Sequence, residues 1–337
     1  MLPKITIIIP ARPEQTQVLA TQAVKKLDYP QELLEVLVVR GKQPSVQRNT
    51  AIRQSTGELI YFLDDDSIPH PEILKKAVKH FEDPQIAMLG GPNICPANAP
   101  ALEQVFAQVM ASWIAFGPSR ARYCQVGETR DSSEKELILC NLLARKSTLL
   151  KYGCFDEKLY PNEENALMED ITKGGNKLIY DPDFVVERRP RQTLSAFFRM
   201  LRTYGRGRAE QFRLHPGWGS LLNFVPPAFV IYLAFYLISG LTILTKLLCN
   251  IAISPFCKIV FPGMTLILLL YLSVLFAQTV STAKTKRLSA AGLFCFPPLL
   301  AITHIMYGSG FWSGFIAPKY QRHPSIAPSD INVEKLQ

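Results

Sequence analysis

The sequence predicts an α/β domain built on a mostly parallel sheet, followed by C-terminal transmembrane helices. In the first half of the 337-residue chain, short apolar segments typical of strands alternate with segments typical of helices, which is the pattern of a parallel sheet. In the last third, residues 214–245, 259–283 and 288–318 contain no Lys, Arg, Asp or Glu. Each of these runs is longer than the roughly 20 residues that a helix needs to span a bilayer.

The predicted elements of the first half follow one another as strand, helix, strand. Strands are expected over residues 4–10, 34–39, 58–64 and 86–92, and helices over 14–27, 44–55, 70–83 and 101–116. The helix over 70–83 is amphipathic, with Ile73, Leu74, Ala77, Val78 and Phe81 on one face. In an open sheet of this kind, ligands bind beyond the carboxyl ends of the strands.

Charge predicts how the chain is oriented in the membrane. Arginines are dense before the first apolar run, and the loop at residues 281–289 between the second and third runs is basic. By the positive-inside rule, we expect a cytoplasmic domain over residues 1–215, a plasma (inner) membrane domain with about three spans over 216–318, and a polar tail over 319–337. The third run contains Pro297-Pro298 and ends in glycines, so it either crosses the membrane or re-enters it.

The formal net charge of +9 raises the question of nucleic-acid binding. Because the basic residues crowd the membrane flanks, they favour an anionic lipid surface and a phosphorylated substrate, and we expect no nucleic-acid partner. The seven cysteines contain no C-x-x-C pair, which predicts reduced thiols and no zinc site.

Asp64, Asp65 and Asp66 stand side by side at the end of the third predicted strand. Burying unpaired carboxylates is costly, so a positive group is expected beside them. Residues i and i+2 leave a strand on the same side, which puts Asp64 and Asp66 together. Such oxygen ligands suit Mg²⁺ or Mn²⁺, which bridge to the phosphates of a substrate. An acidic turn that caps the next helix through Asp66 or Ser67 is the alternative interpretation.

Three stretches carry a resemblance to a known family: ITIIIPARPE (residues 5–14), the segment 47–74 around the three aspartates, and the segment 142–183. In order and spacing the sequence resembles glycosyltransferase family 2. RTYGRGR (202–208), followed by the three apolar runs, resembles the bacterial subgroup of membrane-anchored succinoglycan-type glucosyltransferases.

The resemblance implies a Rossmann-like, nucleotide-sugar-binding sheet of the family A glycosyltransferase type. It implies inverting, hexosyl-type transfer from a nucleoside-diphosphate sugar to a membrane-associated, lipid-linked acceptor in polysaccharide or glycolipid synthesis. It also implies Mg²⁺ or Mn²⁺ held by Asp64 and Asp66. The donor-binding residues that it implies are Pro10, Glu14, Arg48, Asp64, Asp65, Arg206 and Arg208. For Arg206 and Arg208, contact with lipid headgroups is an open alternative.

The resemblance also implies a catalytic base in the acidic segment 163–170. The family's Glu-Asp pair stands about a dozen residues before a glycine and a strand, a spacing taken from the resemblance. Counting back from Gly174 selects Glu163 and Glu164, with Glu164 in place of the aspartate and acting as base. Asp170, in a literal Glu-Asp pair, is the alternative.

The sequence departs from the family after the second strand. Arg40 stands where the family has an acidic turn that reads the nucleobase, and the chain passes almost directly to Arg48. One strand–helix excursion is therefore expected to be missing, and base recognition to differ. A processive polysaccharide synthase and a non-catalytic, membrane-anchored nucleotide or metal binder are the alternative functions.

Overall fold

The computed structural model describes residues 1–159, 162–214, 216, 218–285, 288–317 and 331–336. They form two compact units. The sheet unit comprises Met1–Glu103, Phe116–Pro190 and the C-terminal strand 332–336, and the helical unit comprises Gln104–Ala115 and the residues that follow Pro190 up to 317. The predicted boundaries at residues 215 and 318 stay a prediction, and residues 319–330 and 337 of the predicted tail lie outside the described residues.

The strands are β1 (Ile5–Ala11), β2 (Leu34–Arg40), β3 (Leu59–Leu63), β4 (Ile68–Pro69), β5 (Ile86–Gly90), β6 (Asn93–Ile94), β7 (Arg130–Asp131), β8 (Asn141–Arg145), β9 (Lys177–Tyr180), β10 (Val186–Glu187) and β11 (Asn332–Leu336). The helices are α1 (Leu19–Val24), α2 (Pro44–Gln54), α3 (Ile73–Ala77), α4 (Ala101–Met110), α5 (Trp113–Phe116), α6 (Lys146–Lys151), α7 (Glu163–Lys173), α8 (Leu194–Leu214), α9 (Val225–Leu248), α10 (Pro255–Lys284) and α11 (Ala290–Ile316).

The main sheet has the strand order β11-β2-β1-β3-β8-β5-β9-β7. β2, β1 and β3 are mutually parallel, and β5 and β9 run in the same direction because β8 is antiparallel to both β3 and β5. Strands β8, β7 and β11 run the opposite way. The predicted mixed, mostly parallel sheet is confirmed. A small second sheet has the strand order β4-β10-β6, and its strand β4 follows directly after β3 in sequence.

The sheet is buried on both faces, which explains why its strands are continuously apolar. Ile7 and Ile9 of β1 pack into one hydrophobic cluster, whereas Ile8 between them packs into the other. Phe62 of β3 belongs to the second cluster with Ile8, and Tyr61 belongs to the first. Because both faces are fixed in this way, the residues that follow β1 and β3 emerge at a defined edge of the sheet.

The edge beside β2 is covered by β11, which no pattern in the sequence predicted. β11 pairs antiparallel with β2. Two ion pairs cross this edge, Glu334 with Arg40 at 2.7 Å and Lys335 with Glu35 at 2.9 Å. As expected, no strand–helix excursion lies between β2 and α2, and the free edge of β2 pairs with the C-terminal strand.

The predicted helix over 14–27 is too long, because α1 spans only Leu19–Val24. Val18 is extended, and the side chain of Gln15 donates to the carbonyl of Gln17 and to the carboxylate of Asp65. Side-chain bonds of this kind compete with helical ones, so the segment after β1 forms a loop.

The helical unit contains three helices that are long and apolar enough to cross a membrane, within 221–248, 257–284 and 290–316. Its α8 carries five arginines and packs along α11 at van der Waals distance. A Cβ on Gly205 of α8 would lie 2.0 Å from the carbonyl oxygen of Tyr307, and one on Gly310 of α11 would lie 2.1 Å from that of Arg202. Only glycine permits backbones this close.

Candidate active site

The three predicted aspartates lie in a turn at the carboxyl end of β3, which we call the aspartate turn (Asp64–Asp66). The amide of Ser67 donates to the carbonyl of Asp64 at 3.1 Å, which closes the turn. The amide of Ala20 donates to the carbonyl of Asp65 at 3.0 Å, so the segment after β1 is tied to it. Parallel strands end at the same edge, and the turn therefore lies where this fold binds ligands.

Two arginines, Arg48 and Arg188, form ion pairs with the aspartate turn. Asp64 lies 3.3 Å from Nη2 of Arg48 through Oδ1 and 3.1 Å from Nη2 of Arg188 through Oδ2. Asp66 accepts a hydrogen bond on Oδ1 from Nε of Arg188 at 2.6 Å. The carboxylate of Asp65 accepts from the side chain of Gln15. The positive group that three adjacent carboxylates require is thus supplied within the chain.

Arg48 connects the aspartate turn to the acidic start of α7. Its side chain is 7% exposed, and its Nη1 lies 3.1 Å from Oε1 of Glu163. The neighbouring Asn49 fixes α2 by exchanging two hydrogen bonds with the backbone of Phe155, at 2.8 and 3.0 Å. The arginine is therefore held between two carboxylates that are 99 residues apart in sequence, Asp64 and Glu163 (163 − 64 = 99).

Helix α7 begins with the two candidate base residues. Asn162, directly before the helix, has a left-handed backbone with φ of 91°, a conformation that asparagine tolerates better than most residues. Glu163 then points inward and is 2% exposed, whereas Glu164 is half-buried and accepts a hydrogen bond from Nδ2 of Asn165 at 3.1 Å. Asp170 is exposed and lies 4.0 Å from Lys173 on the same helix. Glu163 is thus in the arginine network, Glu164 is next to it, and Asp170 lies two turns further along α7.

Burial and crowded negative charge shift two of these carboxyl groups in the same direction. Burial, followed by the charge of Glu164, raises the pKa of Glu163 to about 8. Burial also raises the pKa of Asp66, and the ion pair with Arg188 offsets only part of that rise. Raised carboxyl pKa values in one place are typical of a catalytic or binding site.

The network also contains unsatisfied groups. Oε2 of Glu163 and Nε of Arg48 are buried and make no hydrogen bond of normal geometry to any described residue. Buried polar atoms are nearly always paired, so such an acceptor and donor indicate a site that water or a ligand completes.

The aspartates fit a divalent cation unequally. Both oxygens of Asp64 already face arginines. On Asp66, which is 41% exposed, only Oδ1 accepts a hydrogen bond from the residues that the structure describes. Within that part of the chain, no group of three or more His, Cys, Asp or Glu side chains is arranged to hold a metal. One open carboxylate face suits a Mg²⁺-like ion that takes its other ligands from phosphates and water.

The remaining predicted residues are Pro10 and Glu14 in the sheet unit and Arg206 and Arg208 in the helical unit. Pro10 is near the end of β1 opposite Val39, and Glu14 is exposed in the loop that follows. Arg206 and Arg208 lie on α8 in the helical unit, where Arg206 donates to Ser313 of α11. Arg208 donates to Gln211 at 3.0 Å. Their predicted contact with the donor stays a prediction.

Sequence reasoning missed Gln15 and Arg188. Arg188 was counted only among the basic residues before the membrane, yet it neutralises both outer aspartates. The signal was the unbalanced charge of the aspartate turn itself, which required a cation somewhere in the chain. Gln15 was assigned to a helix, whereas it holds Asp65 from a loop.

A profile described as glycosyl transferase family 2 matches residues 6–104, and one described as glycosyl transferase family group 2 matches residues 59–280. The chain is 24% identical over 176 residues to the pre-mycofactocin glycosyltransferase of two Mycobacterium tuberculosis strains, a match that covers 52% of this chain and 36% of each relative. The chain therefore spans little more than a third of the length of the curated relatives it matches.

Among solved structures, the fold is similar to that of the mannosyltransferase PcManGT from Pyrobaculum calidifontis, solved in complex with GDP-Man and Mn²⁺. The TM-score is 0.50 at 18% sequence identity, and the likeness covers 96% of this chain and 89% of that one. At this identity the comparison concerns the fold alone.

Proposed function

The chain belongs to glycosyltransferase family group 2, and from that premise we propose that it moves a sugar from a nucleoside-diphosphate sugar to a membrane-associated acceptor, with inversion at the anomeric carbon. The observation that carries the proposal is the network Asp64–Arg48–Glu163 at the carboxyl edge of the sheet. This network joins the aspartate turn, which is paired with arginines, to the acidic start of α7, where buried polar atoms lack a hydrogen bond.

The aspartate turn is the donor side of this site. Displacement of a nucleoside diphosphate leaves an anionic leaving group, which has to be met by positive charge. Arg188 and Arg48 are fixed there and offset part of the negative charge of the aspartates, which lowers the repulsion of a diphosphate. Asp66 would hold Mg²⁺ or Mn²⁺ on its open face, and the ion when bound would further neutralise the diphosphate. PcManGT, the structural neighbour, was solved with GDP-Man and Mn²⁺, which makes GDP-mannose the first donor to test.

The start of α7 is the acceptor side. A hydroxyl that attacks the anomeric carbon has to lose its proton to a base on the side opposite the leaving group. Glu164 is half-buried, so a substrate can reach it, whereas Glu163 is 2% exposed and engaged with Arg48. We therefore assign the base to Glu164 and give Glu163 the role of a buried neighbour that holds Arg48 in place. Asp170 is the less favoured base, because it is exposed beside Lys173.

The three long apolar helices support a lipid-linked acceptor in this proposal. Strand β11 supports a definite topology. The chain leaves the sheet unit at residue 190 and returns to its sheet at residue 332. A sheet lies on one side of the membrane, so the number of crossings in between has to be even. We assign the two crossings to α9 and α10.

In this proposal the third apolar helix, α11, does not complete a crossing. A third of its most apolar stretch is buried within the protein, against none for α9 and 6% for α10. It packs on α8, whose five arginines are incompatible with the hydrocarbon core. Reporters fused within 249–254 and after 337 test this. We expect the first outside and the second in the cytoplasm, and an external second reporter would require three crossings.

The function is tested with the full-length chain in membranes and a panel of nucleotide sugars, with GDP-mannose first. We expect one donor to release its nucleoside diphosphate in the presence of a membrane lipid extract, with the sugar recovered in the lipid phase. Asp66→Asn and Glu164→Gln should each remove this release. A ladder of long products would indicate a processive synthase instead. Absence of release with every donor would favour a non-catalytic binder.

A further inference from the structure

Arg188 is placed against the aspartate turn by the small sheet. β10 ends directly before it, and Glu187 of β10 pairs antiparallel with Ile68 of β4, two residues after Asp66. The amide of Arg188 donates to the carbonyl of Ile94 at 2.9 Å, which extends the pairing with β6. The same short strands thus fix both the turn and the arginine that faces it.

The guanidinium of Arg188 contacts two carboxylates. Nε donates to Asp66 at 2.6 Å, and Nη2 lies 3.1 Å from Asp64. The side chain of Arg188 is 23% exposed and stays charged at every working pH. A planar fork bridges two carboxylates in a way that a lysine ammonium cannot.

We infer that Arg188 is the resident cation of the aspartate turn and makes divalent-cation binding conditional on the donor. In the free protein Arg188, together with Arg48 on Asp64, offsets the charge of Asp64 and Asp66, so a divalent ion gains little there and is repelled by the guanidinium. When a donor diphosphate arrives, it adds negative charge and further oxygen ligands, and the cation then binds on Asp66. The inference rests on the proposed function only in taking the donor to be a diphosphate.

The adjacent Arg189 has a structural ion pair of its own. Arg189 forms an ion pair with Glu103, which is 2% exposed, and neither residue contacts the aspartate turn. Replacing Arg188 or Arg189 removes the same charge one residue apart and in both cases leaves one carboxylate, Asp66 or Glu103, without its arginine partner. Arg189 is therefore the matched control.

The test measures binding of Mn²⁺ alone to the full-length protein in detergent, without any nucleotide, by the loss of the free-ion EPR signal. We expect Arg188→Met to bind Mn²⁺ about 10- to 100-fold more tightly than the wild-type protein, because a unit positive charge next to the ion has been removed. Arg189→Met should bind as the wild type does. Asp66→Asn in the Arg188→Met background should abolish the gain. Mn²⁺ should also raise the melting temperature of Arg188→Met and not that of the wild type, Arg189→Met or the double variant.

Equal affinity in the wild type and Arg188→Met would overturn the inference, as would the same gain in Arg189→Met. If Arg188→Met fails to fold even with Mn²⁺, Arg188→Lys decides. Lysine keeps the charge but releases one carboxylate, so a smaller gain is expected, and no gain overturns the inference. Because no sugar donor is present, a failure of sugar transfer leaves this result unaffected.

Discussion

The sheet unit buries one glutamate at the β2–β11 edge and another at the start of α7, and the two carboxylates differ in how well they are satisfied. Glu35 in β2 is 4% exposed. It accepts hydrogen bonds from Thr6 Oγ1 and the amide of Thr56, both at 2.7 Å, and from Lys335 at 2.9 Å. Burial alone would raise its pKa, but these hydrogen bonds outweigh burial and lower the pKa of Glu35 to about 2.

Glu163 is as deeply buried, and its pKa is raised to about 8. Burial is the main cause and the charge of Glu164 the second, while Arg48 and weaker hydrogen bonds from the Glu163 amide and the Ser45 hydroxyl offset only part of the rise. The difference separates a carboxylate that holds a sheet edge together from one that is left incompletely satisfied. Incomplete satisfaction costs stability, and it is retained where chemistry or ligand binding uses it.

The largest effect is expected from the base beside Glu163. Glu164→Gln removes the proton acceptor and should lower sugar transfer by about 10²–10⁴-fold, because general base catalysis acts on the chemical step. Donor binding depends on the aspartate turn and should change little. The measurement is the initial rate of nucleoside-diphosphate release together with donor affinity in the same preparation.

Two control variants sharpen this result. Asp170→Asn should be nearly normal, since that carboxylate is exposed beside Lys173. Glu35→Gln should leave the activity of the folded fraction unchanged. The reverse ranking, with Asp170→Asn inactive and Glu164→Gln active, would move the base six residues along α7.

The sequence predicted the α7 side of this comparison better than the sheet edge. The aspartate turn is one short stretch of sequence, and the acidic pair Glu163-Glu164 is another. Local patterns are enough to place the first at the end of β3 and the second at the start of α7. The partners that decide their electrostatics are remote. Arg188 is 122 residues from Asp66, and Lys335 is 300 residues from Glu35. Nothing local in the C-terminal segment distinguishes strand β11 from a polar tail, because its pairing depends on the open edge of β2.

The membrane segment shows the same limit. Length and hydropathy mark all three apolar runs as spans, and the structure confirms three suitable helices. What separates α11 from α9 and α10 is its packing on α8 through Gly205, Gly310 and Gly314. That packing depends on the pairing of α11 with α8, and the residue pattern within a single helix does not encode its partner.

The second largest effect should appear in the free energy of unfolding when each of the two buried glutamates is replaced by glutamine. Glu35→Gln replaces an ionised acceptor of three hydrogen bonds by a neutral amide and should cost about 1–3 kcal/mol in the free energy of unfolding. Glu163→Gln should cost less at pH 7, because its carboxylate is incompletely satisfied and Arg48 keeps Asp64 as a partner. Thermal unfolding of the full-length variants in detergent measures both. Equal losses would mean that the two environments do not differ in energy.

The pH dependence of stability follows from the same comparison. For Glu163 the folded-state pKa is raised from the ordinary 4.5 to about 8, so its contribution to stability is complete below pH 4.5 and is lost as pH rises through about 8. Glu35 is ionised throughout that window and contributes a constant amount. We therefore expect the melting temperature to fall between pH 5 and 9, and Glu163→Gln to flatten this fall. A Glu163→Gln curve parallel to that of the wild type would show that Glu163 does not titrate there.

The smallest effect is expected from a lysine that lies mostly in solvent. Lys335 is 62% exposed, but its partner Glu35 is buried, so Lys335→Met should cost about 1 kcal/mol. Lys173→Met is the matched control, since Lys173 and its partner Asp170 are both exposed and pairs of that kind contribute little.

The stability of Lys335→Met and Lys173→Met should also differ in its dependence on acid pH. The depressed pKa of Glu35 gives stability that is present above pH 4.5 and lost as pH falls through about 2, and without Lys335 that loss should begin at a higher pH. Acid unfolding curves of the two variants measure the shift. If they coincide, β11 does not hold Glu35 in its charged form, and the contrast between the sheet edge and the start of α7 would rest on Thr6 and Thr56 alone.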